Sequence, residues 1–428
     1  MSRLVIDRSI SYIDGTQRVY DGATTLQKTK DQLRKIGVTR IASITDLDRI
    51  GIPVFSTIRP SAAKGAISIY SGKGATEEQA RISAIMEGFE RCLAERMGIN
   101  ANIVDDISET ALIESYENAA ESYNVVMPSE LLLPGQLMPD RLVEWTGGWD
   151  LLKNEEIFVP SNAVYHPYDA PPGQCAKLFR SNTNGLASGN VLEEAIFHGL
   201  LEVIERDALS TAEFHRNPGK ELILTEEDGI NYELMQRFKD AGVEIKLCLL
   251  SHDTGIPTVV AVTDDIKLKD PALLVMGAGS HLKPEIAIRR AITEAAQSRV
   301  VQIHGAREDT DREKFVRNIG YERMKRMNSF WYNEGESITF AEMQDISAGT
   351  PAENIDVVLE RLKKIVDNAI VVNLSRESVA VPVVRVIIPT FELYTLDRER
   401  TGKRIMSASL PRKKLTPEER PWKRRRRT

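Results

Sequence analysis

The stretch that decides the fold is residues 71–91, SGKGATEEQARISAIMEGFER, because its pattern returns twice further along the chain. Its marked positions follow the spacing Glu-x-Ala, six residues, Glu-x-x-Glu, and they are Glu78, Ala80, Glu87 and Glu90. Residues 193–205 repeat this spacing, and residues 285–297 repeat it with a final Gln. Each copy follows an apolar or glycine-rich segment. We infer three copies of one unit, made of a strand, a glycine turn and a helix.

Each of the three helices carries an acidic face. At about 100° per residue, Ser83, Glu87 and Glu90 share one side of the first helix, opposite Ile85 and Phe89. The corresponding faces of the other two helices carry Asn190, Glu194, His198, Glu202 and Glu205, and then Arg290, Glu294 and Gln297. One such helix is ordinary, because its Glu residues usually face water. Three copies in phase concentrate negative charge unless cations compensate, so the pattern predicts a magnesium site.

The donor types of these faces suit metal-bound nucleotide. Mg²⁺ prefers hard oxygen ligands and bridges carboxylates to phosphates. We therefore predict as metal ligands Glu87, Glu90, Glu194, Glu202, Glu205 and Glu294. Arginines can neutralise phosphate charge and amides can fix a nucleotide by hydrogen bonds. The nucleotide-binding residues predicted on these grounds are Lys73, Arg91, Asn190, Arg206, Gln297 and Arg299.

Two of these polar residues have a second interpretation. Lys73 is equally a solvated lysine in a glycine-rich turn, and the usual phosphate loop is missing because Gly74 follows it where Ser or Thr would stand. His198 either orients a ligand, acts as a base, or is merely hydrogen-bonded. No catalytic residue is assigned from the sequence.

Helices and strands alternate along the chain, which predicts an α/β fold. Strand signals occur at residues 40–44, 66–70, 157–160, 244–250, 257–263, 273–276, 370–374 and 383–388. A helix is predicted over 354–368, and 108–172 reads as loop-rich. Because no linker divides the alternation, we expect one interlocked domain over 1–402.

Charge is distributed unevenly. The net charge is -6, yet residues 403–428 hold eleven Lys or Arg against two Glu, which leaves about -15 on the rest. An acidic body needs cations to hold a polyphosphate. The tail is expected to be mobile.

Several classes of protein are excluded by simple counts. An apolar fraction of 42% over 428 residues is enough for a well-cored protein. The chain shows neither a secretory leader nor an apolar run of the roughly 20 residues that span a bilayer, so a cytoplasmic protein is expected. The cysteines, Cys92, Cys175 and Cys248, form no Cys-x-x-Cys pair, which argues against disulfides and zinc.

Over about residues 15–400 the chain resembles the YcaO proteins. The resemblance rests on the following motifs: Ser71-Gly72-Lys73-Gly74; Ser83-x3-Glu87-x2-Glu90-Arg91; Asn184-Gly185-Leu186-Ala187-Ser188-Gly189-Asn190-x3-Glu194-Ala195; Glu202-x2-Glu205-Arg206-Asp207-Ala208; Arg290-Ala291-x2-Glu294-Ala295-x-Gln297-Ser298-Arg299. It implies that the matching residues bind ATP and magnesium, and it adds Ser83 and Asn184 to the predicted nucleotide-binding residues. It also implies that ATP phosphorylates a backbone amide oxygen, after which a side chain gives an azoline or sulfide gives a thioamide.

The resemblance also favours a thioamide product over an azoline. Azoline-forming relatives commonly end in Pro-x-Pro-x-Pro, whereas this chain ends Pro421-Trp422-Lys423 and basic residues. The stand-alone layout looks like archaeal members that make thioglycine in methyl-coenzyme M reductase of methanogenesis, usually with a TfuA-type partner. We therefore predict a thioamidase acting on the alpha subunit of that enzyme, with a sulfide source. The assembly could be a homodimer.

Three alternatives stay open at this point. The chain could form azolines on Cys, Ser or Thr of a peptide. It could also be a non-catalytic ATP-binding accessory factor for another modifying enzyme. RNA or ribosome binding through the tail, where Trp422 lies among basic residues, is the least favoured, because a solvated end explains the same pattern.

Overall fold

Helices and strands alternate through the computed structural model, which describes residues 3–13, 17–96, 112–170, 173–305 and 312–407. The helices are α1 (Gly22–Lys30), α2 (Glu77–Leu93), α3 (Tyr116–Ser122), α4 (Ser161–Val164), α5 (Leu192–His215), α6 (Ile230–Asp240), α7 (Pro284–His304), α8 (Arg312–Ile319), α9 (Tyr321–Met327), α10 (Pro351–Leu362) and α11 (Lys403–Ser407).

The strands are β1 (Arg40–Ser43), β2 (Val54–Ile58), β3 (Ile69–Lys73), β4 (Leu112–Ser115), β5 (Leu142–Asp150), β6 (Glu155–Pro160), β7 (Leu186–Ser188), β8 (Lys220–Ile223), β9 (Glu244–Leu249), β10 (Thr258–Asp264), β11 (Met276–Ser280), β12 (Ser337–Thr339), β13 (Ile370–Asn373) and β14 (Val383–Ile387). They form three sheets, with strand orders β1-β2-β3, β11-β10-β9-β8-β12 and β4-β5-β13-β14-β7; β6 also pairs with β5. The pairing is antiparallel within the described sheets except between β8 and β12.

The predicted repeat is confirmed. The three units are β3–α2, β7–α5 and β11–α7, and in each the connection between strand and helix is three residues long, at 74–76, 189–191 and 281–283. Each unit has its strand in a different sheet. The three acidic helices therefore belong to three separate layers, and their convergence depends on how these layers pack.

Glycine allows the helices to lie against their strands. A Cβ added at Gly72 in β3 would lie 1.9 Å from the backbone N of Ala84 in α2, and one at Gly277 in β11 would lie 2.2 Å from the N of Ala295. Such contacts are impossible for any larger residue. The sequence-based expectation that Ser71 to Gly74 form a turn is therefore wrong for its first three residues, which continue β3 so that α2 can approach.

The turn itself is built alike in the first two units. A Cβ at Gly74 would lie 2.5 Å from the N of Ala80, and a Cβ at Gly189 would lie 2.5 Å from the N of Ala195. Gly74 and Gly189 each lie six positions before the marked alanine of their own unit. The repeat is thus a repeat of backbone packing as well as of residue type.

Apolar faces of the same helices fill the core. The buried side of α5, with Leu200 and Ile204, packs with Val384 and Val386 of β14. On the five-stranded sheet, α6 and α7 pack over β9 and β10 through Phe238, Ile288 and Val259, among others. Full burial of one such side chain contributes about 1.5–3 kcal/mol. Packing thus fixes which face of each helix remains for the acids.

Other sequence-based boundaries need correction. The predicted helix over 354–368 starts earlier, at Pro351, because Thr350 caps it by accepting the N–H of Glu353, and it ends at Leu362. The strand predicted at 273–276 begins only at Met276, because 271–273 form a 3₁₀ turn. The stretch predicted as loop-rich, 108–172, contains the nine-residue β5.

Two of the three cysteines are core residues. Cys92 and Cys248 are 4% and 1% exposed and act as small core residues, and no disulfide joins the three cysteines. Among the described helices, none combines the length and the apolar character needed to cross a bilayer.

The start of the predicted tail is docked rather than mobile. Ile405 in α11 is fully buried, and its N–H donates to Glu392 Oε1 at 2.8 Å. The guanidinium of Arg404 lies 2.9 Å from Asp207 Oδ2 and 3.0 Å from Asp253 Oδ2, so it already supplies the cation for the small acidic group at Asp207, His252 and Asp253. Residues 408–428, with Trp422 and the basic runs, lie outside the described residues.

Candidate metal and nucleotide site

The three units are tied to one another by the last marked position of each repeat, which is residue 90, 205 or 297. Glu90 of α2 accepts the N–H of Ser188 in β7 at 2.9 Å and its hydroxyl at 2.7 Å. Glu205 of α5 accepts the N–H of Ser280 in β11 at 3.0 Å. Gln297 of α7 donates its Nε2 to the carbonyl of Ser71 in β3. The contacts run from the first unit to the second, from the second to the third, and from the third back to the first.

This ring brings the three central acids together. Lys73, at the end of β3, pairs with Glu294 of α7. The same lysine lowers the pKa of Glu87, and the Glu87 charge acts on both Glu90 and Glu202. Glu87, Glu202 and Glu294 therefore face one common space, as the spacing predicted, and do not point to separate surfaces.

The acids in this space differ in their electrostatics. Burial raises the pKa of Glu202 to about 7, and the neighbouring Glu205 and Glu87 add to this effect while Arg206 opposes it. Burial and the charges of Glu87 and Glu202 also hold the pKa of Glu90 well above its ordinary value. A negative charge at Glu90 or Glu202 is therefore costly unless a further cation is present.

The other two central acids have cationic partners. Burial acts to raise the pKa of Glu87, but Arg91 outweighs it, with Nε 2.7 Å from Glu87 Oε1, and lowers that pKa. Burial is likewise outweighed at Glu294, where Lys73 and then Arg206 lower the pKa. The Arg206 Nη2 lies 3.8 Å from Glu294 Oε1. Both carboxylates are therefore ionised at neutral pH.

Glu202 has no such partner. Among the described residues it forms no hydrogen bond and no ion pair, although it is largely buried between other acids. A carboxylate in this position is costly unless a cation is present. Hard oxygen donors from three helices are also the donor set that Mg²⁺ prefers. The donor chemistry therefore fits a divalent cation, although no three of these carboxylates in the described part of the chain lie within 4.8 Å of one another, so they would have to close around the ion.

Glu194 lies in the first turn of α5, about two turns before Glu202, and both of its oxygens are engaged. Its Oε2 accepts the N–H of Asn190 at 2.9 Å, and its Oε1 accepts the N–H of Val19 at 2.7 Å. The side chain of Asn190 in turn accepts the hydroxyl of Thr25 at 2.9 Å. These two residues thus fasten the N-terminal segment across the site, and a metal would have to use the remaining lone pairs of Glu194.

Arg299 does not reach the site. The prediction that it binds the nucleotide is therefore corrected. Its guanidinium is fully buried, with Nε 2.8 Å from Asp48 Oδ2 and Nη2 3.1 Å from Asp265 Oδ2. The reason is helical geometry. Arg299 is two residues after Gln297, which is about 200° around α7, so the two side chains leave on opposite faces.

The remaining predicted nucleotide-binding residues lie near the acids and differ in burial and in hydrogen-bond partners. Ser83 is partly buried on α2, between Lys73 and Glu87 in sequence. Asn184 precedes β7, and its Oδ1 is buried without a partner among the described residues. Arg91 and Arg206 are 21% and 25% exposed at their side chains, enough to meet a ligand.

His198 stays uncharged in this environment. Burial holds the pKa of His198 well below its ordinary value, and the cations Arg290, Arg18 and Lys73 add to the effect. His281 behaves alike, because burial, then Arg290 and Arg18, lower its pKa to about 3. A neutral imidazole can accept a proton, but at neutral pH neither histidine adds positive charge to the acids.

Sequence reasoning missed three contributors. Ser188 and Ser280 bind the acids of the preceding unit, and a common signal exists, since both occupy the last position of their strand. Arg385 lies in β14, within electrostatic reach of Glu202 and Arg91. Its signal was a lone charge in the otherwise apolar strand VVRVI.

Comparison with known proteins identifies the family. Residues 71–392 match the family described as YcaO cyclodehydratase, ATP- and Mg²⁺-binding. The chain belongs to the YcaO family. This YcaO chain is 51% identical over 387 residues to an uncharacterized protein of Methanothermobacter thermautotrophicus, covering 90% of this chain and 97% of that one. It is also 31% identical over 399 residues to an uncharacterized protein in the tfuA 3′ region of Rhizobium leguminosarum bv. trifolii, covering 89% and 90% respectively.

A solved structure agrees with this assignment. YcaO from Methanopyrus kandleri, bound with AMPPCP and Mg²⁺, superposes with a TM-score of 0.75 at 29% identity, over 92% of this chain and 98% of that chain. The YcaO resemblance, the fold class and the cofactors ATP and Mg²⁺ are thereby confirmed. YcaO proteins are an ATP-utilising enzyme family, and the roles of individual residues stay predictions.

Proposed function

We propose that this YcaO protein is an ATP- and Mg²⁺-dependent peptide backbone thioamidase, with a glycine of the methyl-coenzyme M reductase alpha subunit as its target. The observation that carries the proposal is the largely buried, unpaired Glu202 facing Glu87 and Glu205, because this arrangement calls for a divalent cation. The methanogen relative at 51% identity supports the choice of substrate. The relative in the tfuA region supports a TfuA-type partner.

The acids of the ring would hold the magnesium. Glu87, Glu202 and Glu294 face the common space, while Glu90 and Glu205 are each positioned by the N–H of a serine on the next strand. Bound ATP and Mg²⁺ supply the phosphoryl group that turns the amide oxygen into a leaving group. The net reaction exchanges one amide oxygen for the sulfur of hydrosulfide, and the oxygen departs in the released phosphate.

The cations would position and neutralise the phosphates. Arg91 of α2 is held by Glu87, and Arg206 of α5 is held by Glu205 and Glu294. Because these ion pairs already restrict the two side chains, binding phosphate costs less conformational entropy. Lys73 approaches from β3 on the side of α7. Positioning and charge neutralisation provide most of the rate in phosphoryl transfer.

The direct test measures the product. Purified protein is incubated with ATP, Mg²⁺, hydrosulfide, a TfuA-type partner and a peptide containing the target glycine. A thioamide adds about 16 Da, whereas an azoline on a Cys-containing peptide loses about 18 Da. Glu202→Gln should abolish the mass gain, and the exposed Glu233→Gln should retain it.

The same measurement decides among the alternatives. Loss of water with a Cys, Ser or Thr peptide would replace the thioamidase proposal by azoline formation. An unchanged mass with every peptide, together with slow ATP hydrolysis, would favour an accessory factor. Ribosome or RNA association would have to be sought through residues 408–428 and would show a steep salt dependence.

A further inference from the structure

A small cavity beside the carboxylate cluster is lined by two buried arginines. Arg385 comes from β14 and Arg400 from the segment before α11, and both line the cavity together with Asn184 and Phe179. The arginines are 4% and 2% exposed. Arg385 is also within electrostatic reach of Glu202, so the cavity lies next to the candidate metal site.

Both guanidinium groups are held by backbone carbonyls and not by acids. Arg385 donates Nε to the carbonyl of Ala163 at 2.9 Å and Nη2 to that of Asn182 at 2.8 Å. Arg400 donates Nε to the carbonyl of Leu132 at 3.0 Å and Nη2 to that of Leu131 at 2.6 Å. These bonds fix the orientation of each group, and the Arg400 guanidinium also lies 3.8 Å from the centre of the Phe179 ring, but neither charge is paired with an acid.

Three polar atoms around the cavity are buried without a partner in the described part of the chain. They are Nη1 of Arg385, Nη1 of Arg400 and Oδ1 of Asn184. A buried polar atom that lacks a hydrogen bond destabilises the folded protein, and more so when it belongs to a charged group. Unpaired atoms on three residues that share one cavity indicate a missing ligand better than any one of them alone.

The charge balance gives the sign of that ligand. Neither arginine forms an ion pair with any described residue, and their closest electrostatic acids are Glu202 for Arg385 and Asp397 for Arg400. Burial lowers the pKa of both arginines to about 10, as expected for cations without a counter-ion. Glu130 also lines the cavity, but it contacts neither guanidinium.

The size of the cavity restricts the ligand further. Its volume is ≈ 50 Å³, which is room for only a few water-sized groups. Two N–H donors and one acceptor suit a small anion that still carries a hydrogen.

We propose that Arg385, Arg400 and Asn184 form a binding site for a small inorganic anion, either hydrogen phosphate or hydrosulfide, next to the Glu202 side of the metal site. As an anion site it stands on the cavity alone. Its use in catalysis, as a holding site for the incoming sulfur or the departing phosphate, rests on the proposed thioamidase function.

The test measures binding without catalysis. The melting temperature of the full-length protein is followed, without ATP or Mg²⁺, against sodium phosphate and, in a second series, sodium hydrosulfide, with sodium chloride at equal ionic strength as reference. Saturable stabilisation by either anion beyond chloride is expected. Arg385→Met and Arg400→Met should each weaken the apparent Kd at least tenfold. If either variant fails to fold, Arg385→Lys and Arg400→Lys replace it and should weaken binding in the same direction.

Two control variants make the result specific. Arg361→Met removes an arginine that also donates to a backbone carbonyl, that of Thr254, but lies outside the cavity, and it should bind as the wild type does. Arg206→Met removes a cation of the candidate nucleotide site and should also retain anion binding.

Each outcome decides the proposal. Binding of phosphate, of hydrosulfide or of both, lost in the two cavity variants, supports the anion site and says which anion it holds. Stabilisation no greater than with chloride overturns it. Loss in Arg206→Met but not in the cavity variants assigns the anion to the nucleotide site and equally overturns it. Because no peptide is present, these results are independent of whether the protein makes a thioamide.

Discussion

Replacing Glu202 by Gln should make the metal-free protein more stable while weakening magnesium binding. In the folded state the carboxylate is disfavoured by burial and by Glu205 and Glu87, which raise its pKa from 4.5 to about 7. The unfolded chain has no such environment. Gln has nearly the same shape and carries no charge, so the substitution removes the electrostatic cost without opening a cavity.

The size of the effect follows from the same pKa. The difference between 4.5 and about 7, at about 1.4 kcal/mol per pH unit, corresponds to about 3.5 kcal/mol as an upper bound. The sign depends on pH: below about 4 the group is protonated in both states and costs nothing. As pH rises from about 4.5 to about 7 the unfolded state loses the proton first, so the wild type loses stability, and the loss is complete above that window.

The assay is urea denaturation of wild type and Glu202→Gln at pH 4, 6 and 8, with chelator and again with saturating Mg²⁺. With chelator at pH 8 the variant should be more stable by about 1–3 kcal/mol, and at pH 4 the two should coincide. Mg²⁺ should stabilise the wild type clearly more than the variant. The exposed Glu233→Gln should follow the wild type within about 0.5 kcal/mol throughout. A metal-free variant that is less stable than the wild type at pH 8 would refute the reasoning.

Three further substitutions test other parts of the structure. Gly72→Ala should lower the free energy of unfolding in urea by at least about 3 kcal/mol, because its Cβ would lie 1.9 Å from a backbone atom. Gly135→Ala, with open space around it, should change that free energy by less than about 0.5 kcal/mol, and equal effects would contradict the strand-to-helix packing. Arg299→Met should cost about 3–5 kcal/mol because it strands Asp48, yet leave the nucleotide Kd of the folded protein within about threefold; a selective loss of nucleotide binding would restore Arg299 to the site. Lys73→Met should raise the KM for ATP about tenfold or more, by removing a charged contact of about 1.5–3 kcal/mol; an unchanged KM would mean that this lysine serves only the carboxylates.

The sequence was sufficient where the information is local and repeated. Three equal spacings predicted three equal units, and helical periodicity placed Glu87, Glu202 and Glu294 on their open faces correctly. The same periodicity separates Gln297 from Arg299 by about 200°, so the error at Arg299 was avoidable. Arg299 belongs to the same sequence motif as Gln297, but its side chain leaves α7 on the opposite face.

Other features depend on contacts that no local pattern encodes. The antiparallel strand orders of the three sheets, and the pairing of Glu90 with Ser188 or of Glu205 with Ser280, join residues 98 and 75 positions apart. The docking of α11 through Arg404 was hidden because a basic composition favours a solvated tail. Ser71 to Lys73 were assigned to a turn because glycine is typical of turns, whereas here it serves close backbone approach.

The closed ring of contacts also has a consequence for synthesis, because the proposed site is incomplete until most of the chain has been made. Gln297 is added more than two hundred positions after Glu90, and Arg385 later still, so a growing chain on the ribosome exposes its first acids long before their partners exist. A truncated or half-folded product therefore lacks part of the proposed metal and nucleotide site. We expect it not to hydrolyse ATP. Acquisition of ATPase activity during refolding would report that all three layers have assembled.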